Sequence, residues 1–310
     1  MTSTRKIFKL GIIGHSPGNG HPYSWSAIFN GYDKKEMAKC PFPVIPQYLG
    51  EQNPRTMCIP DAKVTHIWTQ DKRESQKIAD ASLIANVITN LDDMIGAVDG
   101  VILARDDGNT HLKYGERFIR MNIPILIDKP LATSLPDLNK FEQYYSRGKL
   151  IMSCSSMRYV KNILNAKPKL GSILTATAMV PKYWNTYGIH AIDGVCSIMG
   201  YDVEYVQNLG KDEEHIIYLR YKNGSHAVLQ CFKNTVPAMH FTFYGTKNNL
   251  VLTTTDSFSS FKAMLVDYVE MLKTRKLPFN HRDTFISIKI LIAAELSRER
   301  NGKVVKLTSI

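Results

Sequence analysis

Cysteine is scarce and scattered. The five residues Cys40, Cys58, Cys154, Cys196 and Cys231 are an odd number and form no Cys-x-x-Cys pair. That spacing gives neither a disulfide framework nor a thiolate metal site, and the three in apolar stretches read as buried free thiols. The nine histidines lack the close pairing of metal ligands, so no metal is expected. No apolar run approaches the roughly 20 residues of a membrane span, and the stretch 285–296 is broken or bounded by Lys289, Glu295 and Arg298. The opening Met1-Thr2-Ser3-Thr4-Arg5-Lys6 leads straight into a strand without the apolar core of a secretory signal, so a cytoplasmic protein is expected. Acidic residues are outnumbered, 28 against 39 basic, for a net charge of +11. The bases form no run and no helical stripe. Diffuse basicity of this kind reflects the source organism's proteome or a small anionic ligand more often than a nucleic-acid surface, and neither a nucleic acid nor a membrane is expected as a partner.

With 44% hydrophobic and 22% charged residues among 310, the composition is that of a globular protein long enough for two domains. The first half alternates strands and helices. Residues 6–13 read as a strand, 14–22 as a glycine-bearing turn, and 24–38 as a helix capped by Ser24 with Trp25, Ile28 and Phe29 on its apolar face. Five prolines between 40 and 60 predict an irregular excursion, either a lid or a passive covering. Strands then follow at 63–68, 86–89, 100–104, 123–127 and 150–154, with helices at 73–82, 91–97, 110–121 and 135–145. Such repeats imply right-handed crossovers and a doubly wound parallel sheet. The second half changes texture. Segments 171–180, 203–209, 215–221, 226–232, 238–245 and 249–253 read as consecutive strands separated by turn signals, and helices at 258–274 and 283–299 close the chain. The expected fold class is therefore α/β: a doubly wound domain at 1–154, then an α+β domain at 155–310 with a large, mostly antiparallel sheet.

Gly14-His15-Ser16-Pro17-Gly18-Asn19-Gly20 occupies the first strand-to-helix turn. Glycine there lets backbone amides reach a pyrophosphate, and the helix dipole favours its charge. Ser16 stands in place of the second glycine of Gly-x-Gly-x-x-Gly and the loop is longer, so a plain glycine turn is the competing reading. Trp68-Thr69-Gln70-Asp71-Lys72-Arg73 ends the second strand, where such sheets meet the adenosine ribose. Asp71 suits the 2′-hydroxyl of NAD, while Lys72 and Arg73 suit the 2′-phosphate of NADP. Both cofactors stay open, with Asp71 tilting the balance towards NAD. Asp128-Lys129-Pro130 closes the apolar strand 123–127. Burying an ammonium without a partner is costly, so Lys129 is expected at a ligand, and Pro130 suits a cis bond. His190 opens a helix in the second half, where a capping or core histidine is the competing reading. A cation and an imidazole on opposite walls of a cleft can move a proton on and off a hydroxyl. Lys182, Tyr183, Trp184 and Asn185 read as pocket residues, since an aromatic face suits a sugar ring.

The order and spacing of several segments resemble the glucose-fructose oxidoreductase, inositol dehydrogenase and MocA-like family of NAD(P)-dependent dehydrogenases. They are Gly11-Ile12-Ile13-Gly14, Asp99-Gly100-Val101-Ile102-Leu103-Ala104 with His111 beyond it, Ile127-Asp128-Lys129-Pro130-Leu131-Ala132, Ile189-His190-Ala191-Ile192-Asp193, and residues 260–268. The resemblance spans nearly the whole chain and implies a Rossmann domain followed by an open-faced sheet that often mediates oligomers. It implies cofactor contacts from Gly14, His15, Ser16, Gly18, Gly20, Thr69, Asp71, Arg105, Asp107, His111, Asp128 and Lys129. Lys129 is expected to bond the substrate hydroxyl beside the nicotinamide, and His190 to accept or relay its proton. Arg158, Lys182, Trp184, Asn185, Thr186, Tyr187 and His190 are expected around the substrate, with Arg158 either an anion contact or surface charge. Two departures stand out. The aspartate usual four residues before the histidine is Thr186 here, so either His190 works alone with Lys129 or Tyr187 or Asp193 supports it. Asp106 and Asp107 lie in a turn that usually carries small or neutral residues, and carboxylates beside a pyrophosphate are costly unless Arg105 neutralises them or they bond sugar hydroxyls. The competing reading of that turn is a solvated one with Asp107 or Thr110 capping the helix.

These features lead to an NAD(P)-dependent oxidoreductase acting on a sugar, polyol or sugar-derived substrate, expected as a homodimer or homotetramer joined through the sheet at 171–253. A lyase or hydrolase using transient oxidation by bound cofactor is an alternative. A non-catalytic NAD(P)-binding sensor is another, motivated by Thr186 and the altered glycine turn.

Overall fold

The computed structural model describes residues 6–310. The chain clusters into two compact units interleaved along the sequence. One holds the residues up to Asp128 together with Gln143–Ser153 and Phe261–Pro278; the other holds Lys129–Glu142, Cys154–Ser260 and Phe279–Ile310.

The first unit is built on a six-stranded sheet. Its strands are β1 (Phe8–Ile13), β2 (Ala62–Trp68), β3 (Asn86–Val87), β4 (Gly100–Leu103), β5 (Ile125–Ile127) and β6 (Ile151–Met152), in the order β3-β2-β1-β4-β5-β6. All neighbours are parallel. Strands β4 and β5 are buried at every residue, which is why they read as unbroken apolar runs rather than as alternation. The strand order reverses between β1 and β4, the point where open α/β sheets leave a crevice at their carboxyl ends. Tyr268, from the late segment quoted above, sends its hydroxyl to the carbonyl oxygens of Val101 (2.9 Å) and Pro124 (3.1 Å).

Three local expectations need correction here. The helix expected at 24–38 is two helices, α1 (His21–Asn30) and α2 (Lys34–Met37). Pro22 sits in the first turn of α1, where its missing N–H costs nothing. Gly31, at φ 79°, turns the chain out of the helix, and Asp33 caps α2 by accepting the Glu36 N–H at 2.9 Å. Ser24 is therefore no cap; it lies buried within α1, its Oγ accepting the Tyr48 hydroxyl at 2.5 Å. Secondly, the proline-rich stretch is only partly irregular. It contains α3 (Val44–Gly50) with Ile45 and Leu49 buried, because Pro43 and Pro46 fall at the start of the helix, where proline is tolerated. Thirdly, 91–97 forms a single 3-10 turn, Leu91–Met94, begun by the Asn90 side chain accepting the Asp92 N–H at 3.0 Å. Helices α4 (Lys72–Ala81), α5 (His111–Arg120) and α6 (Leu135–Ser146) fall close to their expected positions.

The second unit carries a seven-stranded sheet in the order β12-β11-β7-β10-β9-β8-β13. The strands are β7 (Ile173–Pro181), β8 (Val203–Asn208), β9 (Glu214–Tyr221), β10 (His226–Phe232), β11 (Met239–Gly245), β12 (Asn249–Thr254) and β13 (Val305–Lys306). Only β7 and β10 pair in parallel. Alternate residues point to one core: Ile217, Leu219 and Tyr221 on β9, Ala227, Leu229 and Cys231 on β10, Phe241 and Phe243 on β11. That core is closed by α8 (Ile189–Met199) and α10 (His281–Glu299). Two elements escaped the sequence reading, α7 (Lys161–Leu170) and β13. Helix α7 buries only Ile163 and Leu170 and contains Pro168, so its apolar periodicity is faint. Helix α9 (Ser257–Thr274) completes the set. Among the described residues no helix is long and apolar enough to cross a membrane.

Candidate active site

In the first unit, chemistry gathers at the carboxyl ends of β1, β2 and β4. Gly14 follows β1 so closely against α1 that a Cβ there would lie 2.7 Å from Pro22 Cγ. Gly18 adopts φ 79° with nothing within 4 Å of a built Cβ, so the turn is open at its tip and needs the left-handed conformation glycine tolerates. Ser16 and Asn19 are buried within the loop. Ser16 Oγ donates to Asp106 Oδ1 at 2.5 Å and accepts the Asp106 N–H at 3.1 Å. Asn19 donates from Nδ2 to Asp128 Oδ2 (2.9 Å) and accepts the His21 N–H on Oδ1 (2.7 Å). His21 Nδ1 meets the same Asp128 oxygen at 2.5 Å, and its ring stacks on Trp25 at 4.4 Å. Asp128 thus ties the glycine turn to the end of β5, a role that its position before Lys129 does not announce.

Arg105 organises the neighbouring turn. It forms a two-pronged pair with Asp107, Nε to Oδ1 at 2.9 Å and Nη2 to Oδ2 at 2.6 Å. Its Nη1 reaches His15 O (2.8 Å) and Gln70 Oε1 (3.1 Å), and the guanidinium lies 4.7 Å over the Tyr114 ring. Arg105 therefore neutralises Asp107, as its place in the sequence suggested, and neither Asp107 nor Thr110 caps a helix with its side chain. His111 is buried, its Nε2 at 2.8 Å from Arg105 O. At the end of β2, Thr69 is closed off by Ser75, and Asp71 caps α4 by accepting the Arg73 N–H at 2.8 Å. Among the described residues, buried His15 Nδ1 has no hydrogen-bond partner. An orphaned buried donor or acceptor beside an open glycine turn, at a switch point of the sheet, fits a polar ligand such as a dinucleotide.

The second unit holds the other cluster. Lys129, joined to Pro130 by a cis peptide bond as expected, is buried at 4% exposure. Its Nζ donates to Thr186 O at 3.3 Å and lies 5.1 Å above the Tyr187 ring. That ring and the His190 imidazole meet in a T-shaped contact, their centroids 5.1 Å apart. Lys182 reaches the Tyr187 hydroxyl at 2.5 Å and holds φ at 67°, a conformation uncommon outside glycine and often found at functional segments. Between β7 and α8 runs a π-helical turn, Trp184–Gly188, another irregularity that marks such segments. Thr186 contributes its carbonyl, while its hydroxyl turns back to Tyr183 O at 3.4 Å. Asn185 is exposed, and Tyr183 is half exposed. Trp184 is not a pocket wall: it is 1% exposed and donates Nε1–H to Leu291 O at 3.0 Å, because the turn rotates its ring into the core.

Behind His190 lies a buried polar chain that the sequence reading missed in part. His190 Nδ1 is 2.7 Å from Ser155 Oγ. The Ser155 N–H donates to Asp193 Oδ2 at 2.7 Å, and Asp193 Oδ1 accepts Arg158 Nη2 (2.8 Å) and the Ser287 hydroxyl (2.6 Å). The Arg158 guanidinium lies between Tyr201 and Phe279, 5.2 and 4.9 Å from their rings. Burial disfavours its charge, but Asp193 and its other neighbours outweigh that and hold it cationic well above the ordinary range. Burial also pushes the Tyr201 phenol up, reinforced by Asp193. Arg158 is thus neither surface charge nor an available anion contact; it is the counter-ion of Asp193. Ser155, Asn19 and His21 carried no spacing signal, and only their contacts reveal them.

Residues 48–154 match the family model described as an oxidoreductase family with an NAD-binding Rossmann fold. Among solved structures, scyllo-inositol dehydrogenase from Lactobacillus casei with bound NAD(H) and scyllo-inositol superposes with a TM-score of 0.75 at 15% identity, covering 98% of this chain and 100% of that one. Myo-inositol 2-dehydrogenase from Lactobacillus plantarum gives 0.76 at 14% identity, over 97% and 99% of the two chains. A probable dehydrogenase from Thermotoga maritima gives 0.75 at 15% identity, over 97% and 99%. No curated protein matches the chain by sequence. The shared fold and the matched segment agree with the resemblance drawn from the motifs.

Proposed function

We propose that this chain, with the fold of the inositol dehydrogenases and a segment matched by an NAD-binding oxidoreductase family, is an NAD-dependent dehydrogenase or reductase acting on a polyol or sugar-derived CH–OH group. The observation that carries the reading is the placement of Lys129 and His190 against one ring: the ammonium over Tyr187 and the imidazole in T-shaped contact with it. Bound NAD supplies the hydride acceptor or donor. The open turn at Gly14–Gly20, with Asp71 at the end of β2, would hold its phosphates and ribose. Lys129 would bond the substrate oxygen and stabilise negative charge developing there. His190 would take up or return the proton of that oxygen. Thr186 replaces a titratable acid, so His190 works with Lys129 and without a neighbouring carboxylate at that position.

Isothermal titration with NAD(H) and NADP(H) should show binding, tighter for NAD(H). Turnover of inositols and simple sugars, followed at the reduced-cofactor absorbance, tests the reaction. Folded protein that binds none of the four nucleotides would defeat this reading and favour a sensor of another ligand.

The sheet of the second unit has a second face, with Met179, Ile216, Tyr218, Val228 and Phe232 half-buried upon it. Such an apolar sheet face is commonly covered by a second copy, and a dimer or tetramer is the expected assembly. Light scattering at micromolar concentration should report at least twice the chain mass; a monomer would contradict the assignment.

A further inference from the structure

We propose that Ser155 is a positioning residue that keeps the proton of His190 on Nδ1, so that Nε2 is the nitrogen that exchanges a proton with the substrate oxygen. The inference rests on the role given to His190 above. An imidazole that accepts a proton at Nε2 must carry hydrogen on Nδ1, and that hydrogen needs a fixed acceptor. Ser155 Oγ lies 2.7 Å from Nδ1, with both residues buried. The hydroxyl has two lone pairs; one accepts the Met157 N–H at 3.0 Å, and the other remains for Nδ1–H.

The serine itself is immobilised. Its N–H is held by Asp193 at 2.7 Å and its carbonyl accepts the Arg158 N–H at 3.2 Å. Asp193 is held in turn by Arg158 and Ser287. A buried carboxylate commonly orients a catalytic histidine directly. Here the carboxylate orients the serine backbone, and a neutral hydroxyl meets the ring. Protonation at Nε2 then gives an imidazolium whose Nδ1–H stays on Ser155 Oγ, and loss of that proton to the substrate oxygen restores the starting tautomer.

The test is a long-range proton–nitrogen correlation spectrum of the full chain labelled with [15N]histidine, at a pH where His190 is neutral. His190→Gln identifies its signals. Wild type should show Nδ1 protonated and Nε2 bare. Ser155→Ala, which keeps the backbone bond to Asp193, should move the hydrogen to Nε2 and lower kcat about tenfold with little change in KM; Ser155→Thr, which keeps the hydroxyl, should retain the wild-type pattern. Hydrogen on Nε2 in the wild type, or an unchanged tautomer in Ser155→Ala, would overturn the assignment. If Ser155→Ala does not fold, the wild-type spectrum alone decides. The spectrum needs no turnover, so absence of dehydrogenase activity would defeat the proposed function and leave the tautomer assignment to be judged separately.

Discussion

Lys129→Met is expected to lower turnover at least about a hundredfold while leaving NAD affinity nearly unchanged. The lysine is 4% exposed, bonded to the Thr186 carbonyl and seated over the Tyr187 ring. A cation in that setting is preorganised: no solvent must reorganise when negative charge appears on a bound oxygen. Losing such a donor commonly costs about 3 kcal/mol of transition-state stabilisation, which is a factor above a hundred. Methionine keeps the length and apolar stem, so packing on Tyr187 survives and the loss reports charge. The binding arm matters because an effect confined to kcat separates transition-state stabilisation from uniform binding. His190→Asn should cost a comparable factor. Full turnover in both variants of an active enzyme would place the proton transfer elsewhere.

Asp193→Asn is expected to destabilise the fold by about 3–5 kcal/mol, the cost of leaving a buried charge without its partner. The pair is enclosed: the Arg158 side chain is 8% exposed and that of Asp193 is 0%. Among the described residues Arg158 Nε and Nη1 have no hydrogen-bond partner, and Nη2 is shared between Asp193 Oδ1 at 2.8 Å and Ser287 Oγ at 3.3 Å, so the guanidinium relies on that carboxylate, one hydroxyl and the faces of Tyr201 and Phe279. Asparagine keeps the shape of the acceptor and removes its charge. Arg158→Met combined with Asp193→Asn should be more stable than Asp193→Asn alone, because the uncompensated cation is gone and methionine packs between the rings. Urea unfolding monitored by circular dichroism gives both values; equal midpoints for the single and double variants would mean that the pair contributes no charge coupling.

Much of this protein was legible in one dimension because local chemistry and global fold agree. The fully apolar runs of β4 and β5 can be satisfied only between two covered faces, and the alternation in β9 and β10 only on a sheet with one face to a core. A lysine ending a buried strand and a histidine opening a buried helix were readable for a related reason: polar groups in such places need partners. Boundaries were less legible where one residue outweighs periodicity, as Gly31 does in dividing 24–38 into α1 and α2. Pro43 and Pro46 misled in the opposite sense, since proline breaks a helix in its interior and not at its start.

What the sequence by itself determined was the two sheet types and their order along the chain, and it marked out Lys129 and His190 as the candidates for the chemistry. Burial and periodicity are short-range properties, and each residue carries its own share of them. Only the tertiary structure decided that Trp184 belongs to the core, that Arg158 is the counter-ion of Asp193, and that Ser155 rather than a carboxylate meets Nδ1 of His190. Hydrogen bonds and ion pairs are formed between residues distant in sequence, 35 positions apart for Ser155 and His190, and they depend on direction within a few tenths of an ångström. Spacing along the chain holds no such information; it arises when strands, helices and one π-helical turn fix where each side chain points.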